Sequence, residues 1–268
     1  MALRHVSAGV HQLLTLITTL VAREKLVVFV EHPEKHLHPH SKRALQNILS
    51  EATKTNHVVI VTHDPSFVDP KAPQGLRRIW WTSEQGTQAT SPQASFGPKQ
   101  LKDIDTALRQ VGNREMVFAR AVLVVEDESL FEFLRAVAPK LGLDIDGNGV
   151  SIVVTEGHGV HKDFNAMLDA LAIPYLNLRD LPWKDEKRYP PERYMALGHE
   201  FEKFMDGQGH RELRLELSSR YGSSHRRGAA ALAQRLEAEQ IPEIFGEFHA
   251  RAIELANAQH SIQTPPAS

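Results

Sequence analysis

The stretch Ala121-Val-Leu-Val-Val-Glu126-Asp127-Glu128-Ser129-Leu130 decides how the second half of the chain is read. Five apolar, mostly β-branched residues in unbroken succession suit a strand buried on both faces, as in a parallel sheet. Its terminal acid sits where open α/β sheets place their chemistry, beyond the strand's carboxyl end. Outward from there, the pattern predicts a helix over Ser129 to Leu141, a strand over Val150 to Val154, a helix over Lys162 to Leu171 and a strand over Ile173 to Leu178. Strands and helices in this rhythm imply right-handed parallel crossovers. Helical segments are expected over Glu192 to Met205, Ala229 to Ala238 and Pro242 to Ala258, and the tail from Gln259 to Ser268 should fray.

The same rhythm appears earlier in the chain. Val10, Leu13, Leu14, Ile17, Leu20 and Val21 recur at helical spacing, with Ser7 as N-cap. Leu26 to Val30 reads as a strand, Ser41 to Thr53 as a helix and Val58 to Val61 as a second strand. Arg77 to Thr82 is one more strand candidate. Ser83 to Pro98, rich in Ser, Gln, Thr, Pro and Gly, reads as an exposed connection and marks the domain boundary, before an amphipathic helix over Lys99 to Val111. The division is therefore 1–82, a linker and helix over 83–115, and 116–268.

Composition narrows the chemistry. With 41% hydrophobic and 24% charged residues, the 268-residue chain has the balance of a globular protein that can bury cores. It has no cysteine, which excludes disulfides, thiolate nucleophiles and Cys-ligated zinc and fits a cytoplasmic protein. Any metal must sit on carboxylates or histidines. Net charge is −2, so binding to DNA would need a local basic patch or a bound cation. No signal peptide or membrane span is read, Leu13 to Val21 being too short and too Thr-rich.

Four short motifs in the first domain resemble, in order, the back half of an ABC-type ATPase. Val6-Ser7-Ala-Gly9-Val-His-Gln12 is similar to the signature segment, whose Ser7, Gly9 and Gln12 would face the nucleotide held by an opposite subunit. Helix N-termini suit phosphates because unpaired N–H groups point at them. Val27-Val-Phe-Val-Glu31-His32-Pro-Glu34 resembles a Walker B strand delivering Glu31 toward magnesium, with His32 where the family has a second acid. Leu37-His38-Pro39 completes the turn, and Val61-Thr-His63-Asp64 matches the switch histidine, His63. No Gly-x-x-x-x-Gly-Lys-Ser/Thr loop is present, so ATP binding would need a partner that supplies it. His36, His38 and His40 alternate and invite a metal reading, but the Leu-His-Pro turn and the start of the following helix account for them better.

In the second domain, Ala121 to Glu126 resembles the opening of a TOPRIM domain, Gly157-His-Gly159 its middle turn, and Ile173-Pro-Tyr-Leu-Asn-Leu-Arg-Asp180 the strand that ends in an acid pair. Leu130 and Pro182 stand where the family has further acids; Asp127, Glu128, Glu132 and Asp185 are nearby substitutes. Arg227 is similar in place to the family's basic residue near a C-terminal helix start. Arg211, Arg214, Arg220, His225, Arg226 and Arg227 form the densest basic stretch, but interleaved acids favour an ion-paired helix face over a phosphate patch. Trp80, Trp81 and Trp183 are read as core or interface anchors before base-stacking platforms.

The pairing of these halves resembles the overcoming-lysogenization-defect (OLD) family. The resemblance implies an α/β fold: the C-terminal lobe of an ABC-type ATPase, then a TOPRIM domain (a Rossmann-like parallel sheet) with C-terminal helices. It implies an ATP-linked, Mg2+- or Mn2+-dependent DNA endonuclease of phage defence. Glu126, Asp127, Glu128 and Asp180 would hold metal, and Glu126, Asp180 and Arg227 would be catalytic. Implied partners are DNA and a second copy or a chain carrying the missing lobe. The competing reading is a remnant or regulatory subunit that uses both surfaces for binding alone.

Overall fold

The computed structural model describes residues 8–82, 86–90, 96–155, 160–181, 191–221 and 225–260. The chain divides into two compact units, Met1–Asp69 and Pro70–Ser268. The boundary lies ahead of the Ser83–Pro98 connection, because the strand that starts at Arg78 is tied to the second unit.

In the first unit, helix α1 (Ala8–Ala22) precedes strand β1 (Val27–Glu31), helix α2 (Pro39–Ala52) and strand β2 (His57–Val61). The strands pair in parallel, from Val27 opposite His57 to Glu31 opposite Val61. Val28, Val30, Val58 and Ile60 turn one face onto Leu20, Leu45 and Leu49, which form the core. Val27, Phe29, Val59 and Val61 turn the other face to solvent. His38 caps α2, its ring accepting from the His40 N–H, and Pro39 fills the first turn, where its missing N–H is not needed.

The second unit opens with an antiparallel hairpin of β3 (Arg78–Thr82) and β4 (Gly86–Thr90). β4 forms inside the expected loop. Buried Arg78 donates to the carbonyls of Ala172 (2.7 Å) and Ala119 (3.2 Å), fastening the hairpin to this unit. Helices α3 (Pro98–Arg109) and α4 (Val111–Arg114) lead to β5 (Ala121–Val125), α5 (Glu128–Val137), β6 (Val150–Val154), α6 (Val160–Ala170), β7 (Tyr175–Arg179) and β8 (Tyr194–Ala196). The four strands form one parallel sheet in the order β6-β5-β7-β8. Every β5 residue is fully buried, as an unbroken apolar run in a sheet covered on both sides requires.

Part of the expected helix over Glu192 to Met205 is instead β8; Pro191–Arg193 forms a 3-10 turn, and Phe201–Met205 (α7) is the α-helical part. The open edge of β7 takes Tyr194–Ala196 as a neighbour, and Arg179 C=O accepts from Leu197 N–H at 2.8 Å. Backbone pairing overrides a helical pattern too short to stand alone. Helices α8 (Arg211–Tyr221), α9 (His225–Arg235) and α10 (Glu243–His260) complete the unit. Phe133, Phe201 and Phe245 meet in a tilted aromatic cluster that packs α5, α7 and α10 into one core with the sheet. Gly157 to Gly159, Pro182, Trp183 and Asp185 lie outside the described residues.

Candidate functional site

The parallel register sets Val125 beside Leu178, so Glu126 and Arg179 leave β5 and β7 side by side. Both are buried, at 7% and 3% exposure, and they form an ion pair. Arg179 Nε (2.9 Å) and Nη2 (2.5 Å) both donate to Glu126 Oε1. The second carboxylate oxygen accepts from the Asp180 backbone N–H at 3.2 Å. His161, fully buried near the start of α6, brings Nε2 to 3.8 Å from Glu126 Oε1.

Glu126 and Asp180 thus come together on neighbouring strands. Asp180 Oδ1 is buried without a hydrogen-bond partner. Burial, then the charges of Asp127, Glu126 and Glu202, push the Asp180 carboxyl up to about 7, against a smaller pull from the Phe201 N–H. A carboxyl group held there exchanges its proton near neutral pH.

The other expected acids are differently engaged. Asp127 caps α5, its Oδ1 accepting from Ser129 N–H (2.6 Å) and Leu130 N–H (3.0 Å). Glu128 and Glu132 pair with Arg226 on α9, at 3.3 and 2.5 Å. Arg227 is exposed on the same helix. A cavity of about 310 Å3 beside Glu128 and Arg226, lined also by Asp146 and Arg135, carries charges of both signs. Leu130 is fully buried in the core, so its position serves packing.

This arrangement tests whether the residues fit a divalent ion. Carboxylate oxygens are the right donors for Mg2+ or Mn2+. Yet both Glu126 oxygens are taken, one Asp127 oxygen is taken, and Glu128 turns to Arg226. Among the described residues, no three His, Asp or Glu side chains stand together as a metal-holding group. The expected quartet of Glu126, Asp127, Glu128 and Asp180 therefore does not fit one ion as it stands. Sequence reasoning passed over Arg179, His161 and Glu202. Arg179 was the legible one, a charge ending an apolar strand directly before Asp180.

In the first unit, the turn after β1 gathers the motif residues. His32 adopts a left-handed backbone (φ 48°), donates its N–H to the Val61 carbonyl at 2.8 Å and sets its ring 5.4 Å from that of His63. Glu34 lies at the centre, 3.2 Å from His32 Nδ1 and accepting from Thr62 Oγ1 at 2.9 Å. Burial pushes its carboxyl up, but hydrogen bonds from its own backbone, Thr62, His32 and His63 together hold it below the usual range. Glu31 is 78% exposed on the open face of the strand pair and reaches the edge of this network, its Oε1 lying 3.9 Å from His32 Nε2. A Cβ on Gly9 would come within 2.5 Å of the His36 carbonyl oxygen, so α1 packs against the turn only because that residue is glycine. Gln12 lies in α1, and Ser7 falls outside the described residues. The alternating histidines do not converge on a metal: the His38 and His40 rings stack at 5.3 Å, and His40 Nδ1 meets Arg43 at 2.8 Å.

Comparison with known proteins places two family models on the chain. Residues 1–69 match an AAA domain described under the AbiEii toxin and Type IV TA system, and residues 117–181 match the TOPRIM domain of overcoming lysogenization defect protein-like proteins. TOPRIM domains generally use divalent metals, AAA domains bind nucleotide, and the pair supports a nuclease-type family. Among solved structures, the C-terminal region of the Xanthomonas campestris pv. campestris OLD protein matches at 15% identity and a TM-score of 0.45, over 53% of this chain and 98% of that one. The C-terminal region of the Burkholderia pseudomallei OLD protein matches at 20% identity and a TM-score of 0.40, over 53% and 98%. The comparison with curated proteins gives no match.

Proposed function

We propose, for a chain that belongs to the OLD family by its AAA segment and its TOPRIM domain, that it is a DNA endonuclease of phage defence whose phosphodiester hydrolysis is linked to ATP. The observation that carries this reading is the meeting of Glu126 and Asp180 at the carboxyl ends of neighbouring parallel strands. The ionised fraction of Asp180, substantial near neutrality, accepts a proton from the attacking water as its oxygen bonds to phosphorus and the P–O bond to the leaving sugar oxygen breaks. Exposed Arg227 contacts the phosphodiester and balances its charge. No metal step is assigned, because Glu126 is engaged by Arg179.

ATP would meet the chain at Ser7, Gly9, Gln12, Glu31, His32 and His63, with Glu34 ordering the turn, once a different chain supplies the phosphate-cradling loop that this sequence lacks. No described helix is long and apolar enough to cross a membrane. The proposed setting is the cytoplasm, where ATP and DNA are both available.

Nicking of supercoiled plasmid by the full chain, in millimolar Mg2+ or Mn2+ and with or without ATP, tests the reading. Wild type is expected to nick, and Glu126→Gln and Asp180→Asn each to lose about 100-fold or more. Absence of nicking in both metals overturns it. A second reading, binding without cleavage, is favoured by the pairing of Glu126 with Arg179. It predicts a DNA mobility shift with intact plasmid.

A further inference from the structure

One cation of the chain itself stands inside the acid cluster. Arg179 ends β7, buried at 3%, and sets two donors of one guanidinium on a single oxygen of Glu126. Guanidinium is planar and always charged, so the contact is both directional and permanent near neutral pH. With both partners out of water, removing either alone would leave an uncompensated buried charge.

A Mg2+ or Mn2+ ion shared by Glu126 and Asp180 would need an oxygen of Glu126, and Mg2+ demands near-octahedral oxygen coordination. Glu126 Oε1 faces the guanidinium, with His161 Nε2 also 3.8 Å away. Oε2 already accepts from the Asp180 N–H. Around Asp180, the carboxylates of Asp127, Glu126 and Glu202 keep the surroundings negative. The neighbourhood attracts a cation, and the nearest carboxylate already holds one.

We propose that the Arg179 guanidinium is a built-in cation standing in the place of a divalent ion, so that metal must displace it and Arg179 sets the metal affinity of the site. The choice of ion rests on the nuclease reading above. The competition does not, since guanidinium and metal contend for one carboxylate whether or not DNA is cut. Arg179 acts through Glu126 and is a positioning residue.

Mn2+ binding to the full chain, followed by the electron paramagnetic resonance signal of the free ion, tests this. Arg179→Gln keeps a hydrogen-bonding amide and removes the charge. It is expected to bind Mn2+ about tenfold tighter than wild type, the scale on which groups that hold metal ligands act. Adding Glu126→Gln to that variant should cancel the gain. Equal affinity in wild type and Arg179→Gln, or a gain that survives Glu126→Gln, overturns the proposal. Should Arg179→Gln fail to fold, wild type decides: micromolar Mn2+ is expected to leave its melting temperature unmoved. A rise that Glu126→Gln abolishes would mean that the ion reaches Glu126 past the guanidinium, and would equally overturn it. Plasmid nicking reports the nuclease reading and Mn2+ affinity reports this one, so the two fail separately.

Discussion

Glu126 cannot be truncated cleanly. Alanine or glutamine there alike leaves the buried Arg179 charge without its counter-ion, a loss of about 3–5 kcal/mol, and glutamine is the milder replacement because its amide oxygen still accepts a hydrogen bond from the guanidinium. Asp180 makes the opposite case, a carboxyl group whose neighbours resist its charge. Its folded value of about 7 exceeds the ordinary 3.8, so the folded chain keeps a proton that the unfolded chain releases. The stabilisation is whole below pH 4 and lost as pH rises to 7. Asp180→Asn, neutral throughout, is therefore expected to match wild type at pH 4 and to exceed it at pH 8. Asp180 is only partly buried, so solvent screening reduces the difference to the order of 1 kcal/mol. Denaturant melts at the two pH values check this; an equal gap at both would show that the charge is not the cause.

Among the elements, those with strong period were legible and those made by pairing were not. Ala121–Val125 and Val150–Val154 fall where the apolar runs predict them. Tyr194–Ala196 and Gly86–Thr90 became strands because an open strand edge accepts any extended neighbour, a property absent from their own composition. Arg78 is the joint for one of these additions. Replacing it by alanine removes two charge-assisted hydrogen bonds, one of them to the carbonyl of buried Ala119, and is expected to destabilise the second unit by about 3 kcal/mol. Urea melts measure this, and a change under about 0.5 kcal/mol, the range of an ordinary surface substitution, would sink the assignment.

At the scale of the whole molecule, the first unit leaves a parallel strand pair covered on one side. Phe29 is 74% exposed and Val27 63%, with Val59 and Val61 beside them. Parallel sheets are normally buried on both faces, and contiguous exposed apolar surface marks association. Our proposed partner for this face is a second copy of the chain. Wild type is then expected to self-associate in sedimentation velocity runs and Phe29→Lys to shift toward the monomer; a wild type monomeric at every concentration would exclude it. The sequence by itself determined the alternation of strands and helices, the acids at the strand ends and the order of the two domains, because burial and backbone geometry write themselves as local periods. Only the tertiary structure decided that Arg179 neutralises Glu126, that Asp127 caps a helix and that Glu34 rather than Glu31 centres the turn. Those outcomes depend on strand register and on the side chains that share each buried space, and residues distant along the chain set both.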